Sequence, residues 1–228
     1  MAARENLSRL IELATKESVE DRRALARELC DLLLDWPARY PQAMREPFEA
    51  LLEKTLRMID AQTRETLAWR IAERDDAPLA LLNEFYFGAG AQLRAAILMR
   101  NARANGDSAH DPEPADLEQA SLGASLVEAA RTAPQEKFVS SMAVLCGVDG
   151  DIAERILRDA SGEGLAVLAR GAHLGRAAYS ALALLTGTAS DPDRKLGIFD
   201  GVPQAGAEAL LQFWRGRNRR EIADATAA

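Results

Sequence analysis

The chain of 228 residues is short of the residue types that carry most enzyme chemistry. It has two cysteines and two histidines, far apart in sequence, so neither a disulfide framework nor a zinc site is indicated. Only 5% of residues are aromatic, so a core must be built from Leu, Ala, Ile and Val. No apolar run approaches the roughly 18–20 residues of a membrane helix. The longest, Ala177 to Thr186, is half that, so no membrane span is expected. Met1 to Leu10 is charged and lacks the apolar stretch of a secretory signal, so the expected location is the cytoplasm. Basic charge is also in deficit. The net charge of −7 and pI of about 5.1 argue against a general nucleic-acid binder. Nothing in the composition calls for a cofactor.

What is present is helix. Hydrophobic residues make up 48%, enough to fill a sizeable core, and heavy Ala and Leu usage favours closely packed helices. Apolar residues recur at helical spacing almost throughout. Leu7, Leu10, Ile11 and Ala14 stripe a first helix. Ser18, with Asp21 three residues on, caps a second that carries Leu25, Leu29, Leu32 and Leu33 and runs to about Trp36. Pro37 and Pro41 break it. Phe48 to Ile59 forms a third helix. Asp60 caps a fourth, with Leu67, Ala68, Ile71 and Ala72. Leu79 to Phe87 and Gln92 to Asn101 make two more. Seven helices follow at about 116–131, 135–146, 149–159, 163–172, 176–186, 191–199 and 204–215, with Gly and Pro at their seams. The polar chain after Arg215 is expected to fray. No segment alternates in polarity, so no strand is expected.

The fold class is therefore all-α. Segment 103–115, with Asn105-Gly106-Asp107-Ser108, Pro112 and Pro114, reads as a linker. It divides a helical region, 1–102, from a C-terminal helical domain, 116–217, and a polar tail, 218–228. In the first region Leu67-Ala68-Trp69-Arg70-Ile71-Ala72 echoes Leu25-Ala26-Arg27-Glu28-Leu29-Cys30 at a period of about 40. Stacked hairpins in the style of HEAT repeats are the expectation there, followed by a C-terminal bundle.

Candidate sites are few, and each has a plain structural alternative. His173, between Arg170 and Arg176, could be a phosphoacceptor flanked by cations, but a histidine at a helix junction is more often a cap or surface residue. His110 among Asp107, Asp111 and Glu113 could bind a metal, yet one His among linker carboxylates is a poor preformed site. Ser161-Gly162-Glu163-Gly164 precedes a helix whose amides could hold a phosphate. It lacks the strand and spacing of a nucleotide loop, and Glu163 would repel an anion. Arg215 to Arg220 is a dense basic run, more simply a solvated helix end. Trp69, Phe85, Tyr86 and Phe87 concentrate aromatic surface that core burial would explain. Cys30 and Cys146 read as reduced, buried thiols.

Two longer stretches are more specific. One is Arg64 to Ala72, then Ala77-Pro78 and Leu93 to Asn101. The other is Phe138 to Leu145, then Gly162-Glu163-Gly164-Leu165-Ala166 running to Ala172, ending in Leu210-Leu211-Gln212-Phe213-Trp214-Arg215. Together they resemble the bacterial family labelled domain of unknown function 2336, found mostly in alphaproteobacteria. The resemblance implies a helical protein with a HEAT-like N-terminal part and brings no activity with it. His173 stands where a small residue is more usual in that pattern.

These readings lead to a non-enzymatic interaction module, adaptor or regulatory, that binds another protein. Its contacts are expected around Trp69, Arg70 and Arg74, and secondarily Arg170 and Arg176. Alternatives are a histidine phosphotransfer component using His173, and a small-ligand sensor. A homodimer is compatible with the composition.

Overall fold

The computed structural model describes residues 2–16, 18–106, 117–187 and 192–227, with side chains described from residue 9 to 217 outside 17, 107–119 and 188–195. Among the described residues the chain is all-helical, with thirteen α-helices and no strand. They are α1 (Ala2–Thr15), α2 (Val19–Leu34), α3 (Arg45–Met58), α4 (Ala61–Ala72), α5 (Leu79–Asn83), α6 (Ala91–Ala104), α7 (Leu117–Thr132), α8 (Gln135–Cys146), α9 (Gly150–Arg158), α10 (Glu163–Gly171), α11 (Arg176–Leu185), α12 (Pro192–Gly201) and α13 (Gln204–Ala227).

The helix starts follow local chemistry. Ser18 Oγ accepts from the Asp21 amide at 3.0 Å, and Asp60 Oδ1 from the Thr63 amide at 2.9 Å. Asp149 Oδ1 does the same for Ile152 at 2.7 Å. Each satisfies a donor that the first turn would otherwise leave open.

Three expectations need correction. The stretch 79–87 is not one helix: α5 ends at Asn83 and a 3₁₀ turn, Tyr86–Gly88, follows. Phe85 and Tyr86 are turned fully inward there. Residues 216–227 continue α13 rather than fray from Arg215, consistent with helix-favouring Arg, Glu and Ala in that stretch. The first residues of the expected 103–115 linker, Arg103 and Ala104, close α6, and its residues 107–115 lie outside the described part.

The chain forms two compact units, Met1–Ala96 and Ile97–Ala228, with the division inside α6. In the first, Leu25, Leu29 and Leu33 of α2 meet Leu52 and Leu56 of α3 and Leu67 and Ile71 of α4 in the core. The α3 helix runs back along α2: Arg45, at its start, donates to the Leu33 carbonyl at the end of α2 (3.1 Å). The α4 helix runs parallel to α2, because three ion pairs join them in the same order. Arg23 pairs with Asp60 at 2.7 Å, Asp31 with Arg70 at 2.9 Å, and Asp35 with Arg74 at 2.9 Å.

In the second unit α10 is the hub. Gly164 to Ala169 and Gly171 are all buried, so this helix is apolar on every side. Its closest partner is α13, whose Leu210, Leu211 and Trp214 are also buried. The two helices approach so closely at Gly171 that a Cβ there would stand 2.6 Å from the Ala207 carbonyl oxygen. Gly206 brings α13 equally close to the second half of α6, where a Cβ would lie 2.4 Å from the Leu98 carbonyl oxygen.

Candidate functional site

Two groups of residues singled out by sequence are assembled into local clusters, one in each unit. In the first unit, Trp69, Arg70 and Arg74 lie on α4 and the turn after it. Trp69 is 38% exposed, not buried as its grouping with Phe85 and Tyr86 implied. The reason is register: Leu67, Ala68 and Ile71 take the inward face, and residue 69 falls outside it. Phe85 and Tyr86 are fully buried.

Arg70 and Arg74 are engaged within the fold. Arg70 reaches Asp31, one helix across. Arg74 holds Asp35 through Nη1 and grips both oxygens of Asp76 through Nε (3.1 Å) and Nη2 (2.9 Å). Its hydrogen bonds to the Asp76 and Asp35 carboxylates push its already high pKa further up, so it is a permanent cation. The sequence carried this signal: Asp31 and Asp35 are spaced i, i+4 across the end of α2, as Arg70 and Arg74 are across the end of α4.

In the second unit, Arg170, His173 and Arg176 sit where α10 hands over to α11. Here α10 closes with a left-handed residue, its amides bonding back from His173 to Arg170 (2.9 Å) and from Leu174 to Ala169 (2.7 Å). That position usually holds glycine, and here it holds His173, at φ 56°. His173 is the sole positive-φ residue besides glycine among the described residues. Its side chain is 45% exposed, with both ring nitrogens in contact with α13. Nε2 lies 3.1 Å from Glu208 Oε1, and Nδ1 lies 3.2 Å from Gln204 Nε2. Gln204 Nε2 also donates to Glu208 (2.8 Å) and to the Arg170 carbonyl (2.7 Å), capping the end of α10.

Arg170 donates through Nε to the Val202 carbonyl (3.2 Å), and its guanidinium lies 5.3 Å from the centre of the Phe199 ring. Phe199 stacks in turn on Tyr179, at 4.7 Å. Burial pushes the Tyr179 phenol up to about 12. Arg176 pairs with Asp200 at 2.8 Å. The cluster thus ties the ends of α10, α11, α12 and α13 together, with each basic side chain matched to an acceptor.

The other sequence candidates are placed as follows. The amides at the start of α10 are taken by the protein itself: Asp159 Oδ2 accepts from Gly164 (2.8 Å) and Ser161 Oγ from Glu163 (3.1 Å). A phosphate would compete with a carboxylate already seated there. In the basic run, Arg215 donates to the Cys146 carbonyl (2.8 Å) and Arg217 is buried at 7% exposure, so neither is a solvated helix-end charge. Arg219 and Arg220 lie outside the described side chains, as does His110. Cys30 and Cys146 are free and buried, and burial raises their thiols to about 12 and about 11, which makes them poor nucleophiles. Among the described residues no cluster of three His, Cys, Asp or Glu could hold a metal, and no helix is long and apolar enough to cross a membrane.

The two stretches that carried the family resemblance are mostly packing surfaces. The Gly162–Ala172 stretch is the buried hub helix, and Leu210, Leu211 and Trp214 fill the groove beside it. No curated protein and no solved structure matches the chain. The model of one family matches residues 49–200, more than half of the chain, and the protein therefore belongs to that family, domain of unknown function 2336, described as an uncharacterised protein conserved in bacteria.

Proposed function

We propose that the protein is a non-enzymatic interaction module, an adaptor or regulatory protein of the bacterial cytoplasm, whose first unit docks another protein. The observation that carries this reading is the parallel pairing of α2 and α4 with α3 antiparallel between them in sequence. This order supports a reading of the first unit as stacked helical hairpins of the HEAT-like kind, in which alternate helices line up on one surface. Such surfaces bind through side chains on a rigid backbone. Trp69 is the large aromatic that this surface leaves exposed, and exposed Trp is a favoured interface anchor. Arg70 and Arg74 border it. Arg170 and Arg176 offer a second contact area at the end of the C-terminal bundle.

The test is a tagged pull-down at native expression with mass spectrometry. A stoichiometric partner that is lost on Trp69→Ala, with the fold intact by circular dichroism, supports the reading. A solitary protein overturns it and directs attention to thermal-shift screening for a small ligand. The phosphotransfer alternative has the exposure of His173 in its favour, but phosphorylation requires the ring to leave Glu208 or Gln204. Incubation with a phosphorylated donor should leave His173 unlabelled.

A further inference from the structure

The charge left over on the α4 surface identifies the chemistry of what docks there. Trp69 lies on an outward stripe of α4 with Glu65 one turn before it and Glu73 one turn after, all three exposed. Gln62 and Thr66 extend the same polar strip. Arg70 and Arg74 pass beside this stripe, but Asp31 neutralises the first, and Asp35 with Asp76 outweighs the second. Glu65 and Glu73 have no ion-pair partner among the described residues, and no aromatic ring or guanidinium is stacked on the Trp69 indole there. With Arg27, exposed on α2 between Arg23 and Asp31, the sum over Asp31, Asp35, Glu65, Glu73 and Asp76 against Arg27, Arg70 and Arg74 is five carboxylates against three guanidinium groups, a net −2. An exposed indole face has a negative potential, and the carboxylates on each side reinforce it.

We propose that this face receives a basic segment of the partner, with an Arg or Lys side chain laid over the Trp69 ring and held between Glu65 and Glu73. The inference rests on the docking reading above and adds to it the sign of the partner's charge. It also reverses the roles suggested by residue type alone: Arg70 and Arg74 hold α4 to α2, and the carboxylates make the contact.

The test uses the full chain labelled with 5-fluorotryptophan, whose three resonances, Trp36, Trp69 and Trp214, are assigned through Trp69→Phe. The probe is a synthetic amphipathic helical peptide of Leu and Arg, with its counterpart in which every Arg is Glu. The expected result is a shift of the Trp69 resonance by the basic peptide alone, reduced by added salt. Glu65→Gln and Glu73→Gln should each weaken it by about twofold to fivefold, the size of an exposed ion pair. Glu136→Gln, the same charge change on an exposed site of α8, should leave it unaltered. A Trp69 resonance that ignores the basic peptide, or that moves equally with the acidic one, overturns the proposal. An equal effect of Glu136→Gln overturns it too, since the attraction would then be the general one of an acidic protein. If the basic peptide fails while Trp69→Ala still abolishes partner capture, the docking reading stands and only the basic character of the partner is refuted.

Discussion

His173 shows how a single residue departs from what its backbone prefers. The left-handed turn that closes α10 costs an L-residue about 1 kcal/mol relative to glycine. The imidazole recovers part of this through Glu208 and Gln204. Comparing two variants that both lack the ring isolates the backbone term. His173→Gly should be more stable than His173→Ala by about 1 kcal/mol, read from denaturant midpoints at equal slope. Equal stabilities would mean that the turn relaxes out of the left-handed region when the side chain is shortened. The sequence places this residue at a helix junction, and the family resemblance implies a smaller one there. It did not show the strain, because φ is set by the three-dimensional exit of α10 and not by any neighbour in sequence. Nor did it show the ring's partners, which lie 31 and 35 positions away on α13.

At the scale of the element, helix positions and types were legible because periodicity, caps and breakers agree. Ser18 and Asp60 cap where their side-chain chemistry says they should, and the apolar stripes face inward. The contacts between helices were less legible, since they depend on small residues whose use is visible only in the packed state. Gly171 is such a residue. It looks like a helix-breaking defect inside Ala-rich sequence, yet it is where α13 crosses α10 at backbone contact. Gly171→Ala places a methyl against the Ala207 carbonyl, which as main chain cannot rotate aside, and against Leu211 Cβ at 2.9 Å. The expected cost is about 1–3 kcal/mol, against the small gain that Gly→Ala brings in an unobstructed helix. Thermal melts of Gly171→Ala beside Gly197→Ala, where nothing lies within 4 Å, would separate the two effects. A Gly171 variant as stable as the Gly197 variant would show that the helices separate without penalty.

At the scale of the whole molecule, the acidic surface makes stability depend on pH in a definable direction. Hydrogen bonds from the Thr63 amide and hydroxyl, with Arg23 alongside, hold the Asp60 carboxyl well below the usual carboxylate range. A depressed folded value means that the stabilisation is complete above the ordinary carboxylate pKa and is lost as pH falls through that range toward the folded value. Denaturant unfolding at neutral pH and at steps down through pH 4 should show the midpoint falling on acidification, and falling less in Asp60→Asn. A variant with an unchanged acid slope would assign the loss to other carboxylates.

The division of the chain inside α6 also bears on how it can be cut. The turn-rich segment beyond α6 looks like the natural place to separate two halves. A fragment starting there would lose the stretch from Ile97 to Ala104, and with it the Leu98 main chain that Gly206 of α13 rests on. Cutting at that segment therefore strips the second unit of part of its own wall, uncovering the glycine edge of α13 and the fully buried Ile97 at once. Fragments of this protein are better compared when α6 is kept whole on the C-terminal piece, since a loop rich in turns can be a hinge in sequence without being a border in packing.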